Sequence, residues 1–388
     1  MRGKVRESIL ILAALAPLAP LSWTQRLATE RVVGQLEAVA TFHQAMPTGI
    51  TVADSGRMFV NFPKWGDAVE YTVAEIKNGN TVPYPNAEIN RYSESDDPAE
   101  KLISVQSVVV DPSGKRLWIL DTGSIAFGTV RPGGAKLVAV DLSSNQVVKK
   151  IQFPSDIALP TSYMNDVRFD LRRGAEGTAF ITDSASAGPN AIIVVDLASG
   201  ISWRRLNDHP STKPDPAFVP VVEGEILQIR LPGQPPARFA VGSDGIAISP
   251  DGKTLYYCPL TSRHLYSVSI DALVDRHRSD ADVASTVKDL GEKGGASDGL
   301  ESDAEGRVYL SDYEHNAVRR WTSAARIETL AHDPRILWPD TLSLAADGYL
   351  YFTANQIERQ AAFHDGKDLR QKPYALFRIK VDGTRIRE

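Results

Sequence analysis

The 388-residue chain reads as an all-β protein, a six-bladed β-propeller of four-stranded antiparallel blades. Three observations predict this. First, Met164–Leu206 holds one complete meander, with short apolar runs at Val167–Asp170, Thr178–Asp183, Ala191–Asp196 and Ile201–Leu206. Gly, Asp and Ser clusters separate them, and β-branched or aromatic runs bounded by such residues are strand signals. Second, a single meander leaves its faces and edges uncovered, so it needs neighbours of its own kind. Third, the neighbours are present. A polar residue, a strand, a Gly-bearing turn and a second strand recur at Thr48–Val60, Gln106–Leu120, Asn165–Ile181, Asp244–Cys258, Asp298–Leu310 and Asp340–Phe352. Their starts lie roughly 40 to 80 residues apart, against the ~40–50 that a blade requires, so the surplus belongs to loops. Radial repetition of small sheets is the propeller solution to exposed edges. An open β-sandwich with coincident turns is the alternative.

Taken in order, Met1–Trp23 has a basic start (Arg2, Lys4, Arg6) and an apolar stretch at Ile9–Leu21. That stretch is short for a bilayer span and right for an export signal, with an uncleaved anchor as the alternative. Residues 24–388 form one propeller domain, placed outside the cytoplasm, secreted or periplasmic. Gln35–Thr41 alternates well enough to close the ring beside the last blade. Asn61–Asn90, Gly123–Gly134 and Asn207–Val241 read as insertions, the first as a strand pair capping one face, the last with a strand at Glu225–Arg230. Ser279–Ala296 reads as a mobile polar loop, His364–Lys372 as a surface loop, and Ala375–Val381 as the final strand. The single cysteine, Cys258, excludes an intrachain disulfide. A formal net charge of −5 without a basic block argues against nucleic acid. Beyond the leader nothing points to a membrane, and the expected state is a monomer with a small-molecule ligand.

The chemistry falls where the innermost strands begin, because these line the channel of a propeller. Repeat register puts Thr48, Gln106, Asn165, Asp244, Asp298 and Asp340 in one ring, with Asp166 beside it. Crowded carboxylates repel one another unless a cation, shared protons or an amine neutralises them. Asn165, Asp244 and Asp298 form an oxygen-only donor set, suited to Ca2+ or Mg2+ rather than zinc. Thr48, Gln106, Asn165, Asp166, Asp340 and Trp338 are candidate ligand contacts, and Asp298 and Asp244 the catalytic candidates if the protein is an enzyme. Against this, an Asp before a Gly is often only a turn residue bonded to its own backbone. Trp338 is a candidate wall for a flat ligand or a packing residue between blades. Asp121, Asp183 and Asp312 close the second strands and read as turn formers. No organic cofactor motif and no GxSxG is present.

NFPKW (Asn61–Trp65), YPNAEIN (Tyr84–Asn90), RLWILDTG (Arg116–Gly123), KLVAVDL (Lys136–Leu142), the Met164–Leu206 stretch and Asp244–Val268 together resemble the Yellow/major royal jelly protein family. The resemblance covers nearly the whole chain after the leader, and the leader with a lone Cys258 suggests a bacterial relative. It implies a six-bladed propeller and export, and functions in pigmentation, nutrition, binding of biogenic amines or dopachrome-type tautomerisation. The chain is more distantly similar to the gluconolactonase/regucalcin propellers, which hold a divalent cation with a Glu, two Asn and an Asp. Asn165 and Asp298 match that pattern, Asp244 stands where an Asn is expected, and Thr48 replaces the Glu. Three functions stay open: a binder of a small amine or phenol, a metal-dependent lactonase, and a tautomerase.

Overall fold

The computed structural model describes residues 31–388, so the leader expected at Met1–Trp23 lies outside the described residues. Six four-stranded antiparallel sheets form the blades. Their innermost strands are Ile50–Val52, Val105–Val110, Met164–Asp170, Ser243–Ile248, Ser297–Ser302 and Pro339–Leu344, which define blades 1 to 6. The inner strand of blade 3, MNDVRFD, is buried along its whole length, whereas the outer strand Gln146–Gln152 of blade 2 alternates between exposed and covered residues. That gradient follows from geometry, since inner strands are packed on both faces and outer strands on one.

The core is divided into wedges between blades. Trp118 and Leu137 of blade 2 meet Phe169, Ile181 and Val195 of blade 3, with Trp118 stacked on Phe169 at 5.2 Å. Phe180 and Val194 of blade 3 meet Ile246 and Tyr257 of blade 4 in the same way.

Blade 6 is completed from the other end of the chain. Glu37–Phe42 pairs antiparallel with Tyr374–Lys380, from Glu37↔Arg378 to Phe42↔Tyr374. This is the closure expected near Gln35–Thr41, and it removes the edge that an open ring would expose.

Three expectations are corrected. Asn61–Asn90 contributes no cap: Val73–Lys77 and Asn80–Pro83 are the outer strands of blade 1 itself. Their connection is Asn78-Gly79, both at positive φ (51° and 77°), the dipeptide that favours a tight hairpin turn. Ser279–Ala296 is ordered, with a short helix at Asp280–Ala284 and the outer strand of blade 4 at Lys288–Glu292. In Asn207–Val241 the single strand expected at Glu225–Arg230 is broken. Glu225–Ile226 pairs with Val221–Val222, and Gln228–Ile229 pairs with Ala237–Arg238.

Candidate functional site

Five of the six inner strands carry a register shift at their start. The shifts fall between Val105 and Ser107, Met164 and Val167, Ser243 and Ile246, Ser297 and Leu300, and Pro339 and Leu342. The residues inside these bulges are Gln106, Asn165–Asp166, Asp244–Gly245, Asp298–Gly299 and Asp340–Thr341. A bulge leaves its residues out of the ladder and re-aims their side chains, which turns five polar positions toward the axis. The glycines have a separate reason. A Cβ on Gly245 would stand 2.4 Å from the Asp298 carbonyl oxygen, and one on Gly299 would stand 2.5 Å from that of Asp340. Each Asp-Gly start therefore lets one blade seat against the acidic residue of the next.

The ring residues are all buried, but they divide into two sets. Gln106, Asn165, Asp244, Asp298 and Trp338 line a cavity of about 360 Å³ at the channel mouth. Thr48, Asp166 and Asp340 do not line it. Thr48 accepts from the Asn61 amide at 2.8 Å and contacts the Gln106 carbonyl at 3.4 Å. Asp340 accepts from Asn355 Nδ2 at 2.8 Å and from its neighbour Thr341. Asp166 lies deeper, with Ser107 Oγ at 3.3 Å and Arg168 at 4.0 Å, and its Oδ2 has no hydrogen-bond partner among the described residues.

The carboxyls are strongly perturbed. Burial pushes Asp298 up to about 7, opposed by the Trp338 indole and compounded by Asp166. Asp298 also lies in hydrogen-bonding range of both Asp244 and Asp340. Asp244 and Asp340 are raised well above the usual carboxylate range, by burial first and by Asp298 second. Near neutral pH such a cluster holds itself together with shared protons.

Aromatic residues from loops wall the cavity, most of them outside the repeats that mark the ring. Trp65 stacks on Phe127 at 4.8 Å, and Phe127 lies 4.7 Å from Tyr163. The Trp65 indole donates to the Tyr163 hydroxyl at 2.8 Å, and that hydroxyl donates to Gln106 Oε1 at 3.0 Å. Phe127 is 57 % exposed and sits at φ 58°, so the Gly123–Gly134 loop holds a large apolar ring over the opening on strained backbone. On the other side Trp338 stacks on Tyr313 at 4.1 Å and 7° between planes, and Trp338 Nε1 donates to Asp298 Oδ2 at 2.7 Å. Trp338 is at φ 49°, a conformation a bulky residue rarely adopts. It both packs against a neighbouring blade and walls the cavity. Phe239 meets Trp338 and Phe363 edge-on, and with Ile229 and Arg238 it brings the Asn207–Val241 insertion over the mouth.

Asp121, Asp183 and Asp312 are structural, as their position suggests. Asp121 accepts from the amides of Ile103, Ser104 and Gly123 at 2.7, 3.0 and 3.0 Å and from Lys136 Nζ at 2.9 Å. Asp183 accepts from the Tyr163 amide and the Arg204 guanidinium, both at 2.9 Å. Asp312 pairs with His315 and Arg319. In blades 2 and 3 the carboxylate thus fastens the segment leading into the inner strand and is neutralised by a cation from an outer strand.

At the opposite ends of the inner strands, residues 384–388 cross the channel. Arg385 donates to the carbonyls of Val110 and Asp111 at 2.7 and 2.9 Å, and Glu388 pairs with Arg172 at 2.8 Å. The space left there is about 80 Å³, lined in part by Arg168 and Glu301. The aromatic mouth is therefore the roomy end.

The major royal jelly protein family model matches residues 103–382. The chain is 26 % identical over 253 residues to protein yellow of Drosophila madeirensis, covering 61 % of this chain and 41 % of that protein. It is 27 % identical over 251 residues to protein yellow of Drosophila pseudoobscura pseudoobscura, covering 60 % and 41 %. The matched stretch thus spans about two fifths of these relatives. Among solved structures, a luciferin-regenerating enzyme superposes with a TM-score of 0.55 at 11 % identity, over 92 % of this chain and 100 % of that one. A putative gluconolactonase gives 0.54 at 11 % identity, over 92 % and 94 %. These two likenesses carry the fold and nothing finer.

Proposed function

The chain belongs to the major royal jelly protein family, and on that premise we propose that it is an exported protein that binds a small aromatic amine or phenol at the channel mouth. One observation carries the reading: a cavity with aromatic walls ends on two carboxyls, Asp244 and Asp298, that have no cationic partner among the described residues. In this reading a flat ring occupies the space between Trp338 and the Trp65–Phe127–Tyr163 side. An ammonium group at its end displaces the shared proton and relieves the repulsion. About 360 Å³ is within the range of small-molecule sites.

Titration calorimetry with tyramine against 4-ethylphenol, which lacks the amine, tests this. Tyramine should bind at least about tenfold more tightly, since the carboxylate contact is worth more than about 1.4 kcal/mol. The sign of the pH dependence follows from Asp298. Its proton leaves near pH 7, and the ammonium binds the deprotonated form. Tyramine affinity should therefore rise from pH 5 to 8 and level off above. Equal affinity for both compounds, or a flat pH profile, overturns the reading.

A second reading is favoured by the same carboxyl. A group held near 7 beside an indole donor is what a proton-transfer catalyst requires, so dopachrome-type tautomerisation with Asp298 as the acid–base is the enzymatic alternative. The calcium or magnesium site fits less well. The donor atoms are of the right kind, but Thr48 stands in place of a Glu, and the Asn165 amide donates to Ser184 Oγ at 3.0 Å. Among the described residues no three His, Cys, Asp or Glu side chains converge as a metal requires. The lactonase reading is correspondingly the weakest.

A further inference from the structure

The two amides at the mouth, Gln106 and Asn165, are satisfied only in part by the walls around them. Trp65 Nε1 donates to the Tyr163 hydroxyl at 2.8 Å, and that hydroxyl donates to Gln106 Oε1 at 3.0 Å. The direction of this relay is forced. An indole N–H can only donate, so the hydroxyl accepts from it and has its one hydrogen left to give. Tyr163 and Gln106 are both buried. With the Gln106 amide reversed, two donors would meet at the Tyr163 oxygen, and the hydroxyl hydrogen would be left in a buried place without an acceptor. Gln106 Nε2 is therefore turned away from Tyr163. It has no partner among the described residues, yet it is not closed off, and Gln106 lines the mouth cavity.

Asn165 is oriented in the opposite sense. Ser184 Oγ gives its hydrogen to the Ser243 carbonyl at 2.6 Å, so it can only accept from Asn165 Nδ2, at 3.0 Å. Asn165 Oδ1 is left without a partner among the described residues, and Asn165 lines the same cavity. Blade 2 thus offers a donor, blade 3 an acceptor, and blades 4 and 5 the carboxyls of Asp244 and Asp298. An anionic oxygen on a ligand would add to the repulsion between those carboxyls, so the group that suits Gln106 is neutral.

Resting on the amine reading of the mouth, we propose that Gln106 is a specificity-determining residue whose Nε2–H donates to a hydroxyl of the ligand, so that the preferred ligand is an aromatic amine that also carries a neutral hydroxyl. A hydroxyl suits the site better than a carbonyl, because it can also give a hydrogen to an acceptor such as Asn165 Oδ1. Tyr163 and, behind it, Trp65 are positioning residues that keep the Gln106 donor aimed into the cavity.

The test is titration calorimetry at pH 8, above the Asp298 transition, with 2-phenylethylamine, tyramine and 2-amino-1-phenylethanol. These differ only in whether, and where, a hydroxyl is present. At least one hydroxylated amine should bind about tenfold more tightly than 2-phenylethylamine, or better, as expected of a site that hydrogen-bonds that group. In Gln106→Met the ratio should fall to within about twofold of unity. Tyr163→Phe keeps a ring in the wall but removes the hydroxyl that fixes the amide, and should lower the ratio by about threefold or more. The ratio separates aiming of the donor from a general loosening of the site, which would weaken all three amines together. The Tyr163 variant also keeps the test open if Gln106→Met fails to fold. Binding of 2-phenylethylamine with no gain from either hydroxyl overturns this inference and leaves the amine reading standing, as does a gain that survives undiminished in either variant. Binding of none of the three amines overturns both.

Discussion

Replacing Lys136 with methionine should lower the stability of the fold by about 3–5 kcal/mol, the largest loss expected of a single substitution here. Lys136 and Asp121 are both fully buried and 2.9 Å apart. The ammonium also donates to the carbonyls of Pro98 and Gly134, each at 2.9 Å. The methionine fills the space and removes the charge, leaving a buried carboxylate and two carbonyls without their cation. The double variant Lys136→Met with Asp121→Asn should recover part of the loss, since the amide needs no counter-charge, though it can no longer accept from three backbone amides. Urea unfolding of the three proteins reads this directly. A single-variant loss under about 1 kcal/mol would mean that the amides of Ile103, Ser104 and Gly123 satisfy Asp121 without the ammonium.

Asp298→Asn should act in opposite directions on binding and on stability. Tyramine affinity should fall by about a hundredfold, the scale of losing one partner of a desolvated charge pair. Stability above neutral pH should rise. Asp298 in the fold is raised to about 7, so its contribution is complete below the ordinary aspartate value near 4 and is lost as pH climbs through 7. The full span is on the order of 4 kcal/mol. The wild type should therefore melt at a lower temperature at pH 8 than at pH 5, and the variant should narrow that gap while still accepting the Trp338 indole hydrogen on its amide oxygen. A variant whose melting temperature falls in parallel with the wild type between these pH values would place the repulsion on Asp244 and Asp340 alone.

The six-bladed architecture was legible because its signal is local and repeated. Each blade begins with a polar residue ahead of an apolar strand and turns on a glycine, and Gln106, Asn165, Asp244, Asp298 and Asp340 all occupy the bulges that this pattern marks. Register alone could not tell which of them face the cavity. Asp340 lies in its bulge as Asp298 does, yet Asn355, which is remote from any repeat start, holds it off the cavity. The aromatic walls were not legible, because Trp65, Phe127, Tyr163, Phe239 and Phe363 lie in connections that do not repeat. Their signal, in retrospect, is that long loops of a propeller face carry exposed aromatic residues, as Phe127 does. Blade 1 was misread for the opposite reason. Its Asn78-Gly79 turn is a strong hairpin signal, but the length of the segment around it suggested an insertion.

The strand that completes blade 6 carries a consequence for how the chain acquires its structure. Arg378 pairs with Glu37 across a separation of 341 residues. Contacts this distant set the pace of folding, because nearly the entire polypeptide must be in place before they can form. The last sheet is finished only when both ends of the chain have met, and until then blade 6 lacks its outer strand and blades 1 and 6 cannot settle against each other. Ribosomal synthesis at about 5–20 residues per second leaves the final circularisation step waiting for tens of seconds after the early blades have emerged. Until that pairing forms, the edge of Tyr374–Lys380 that takes Glu37–Phe42 stays open.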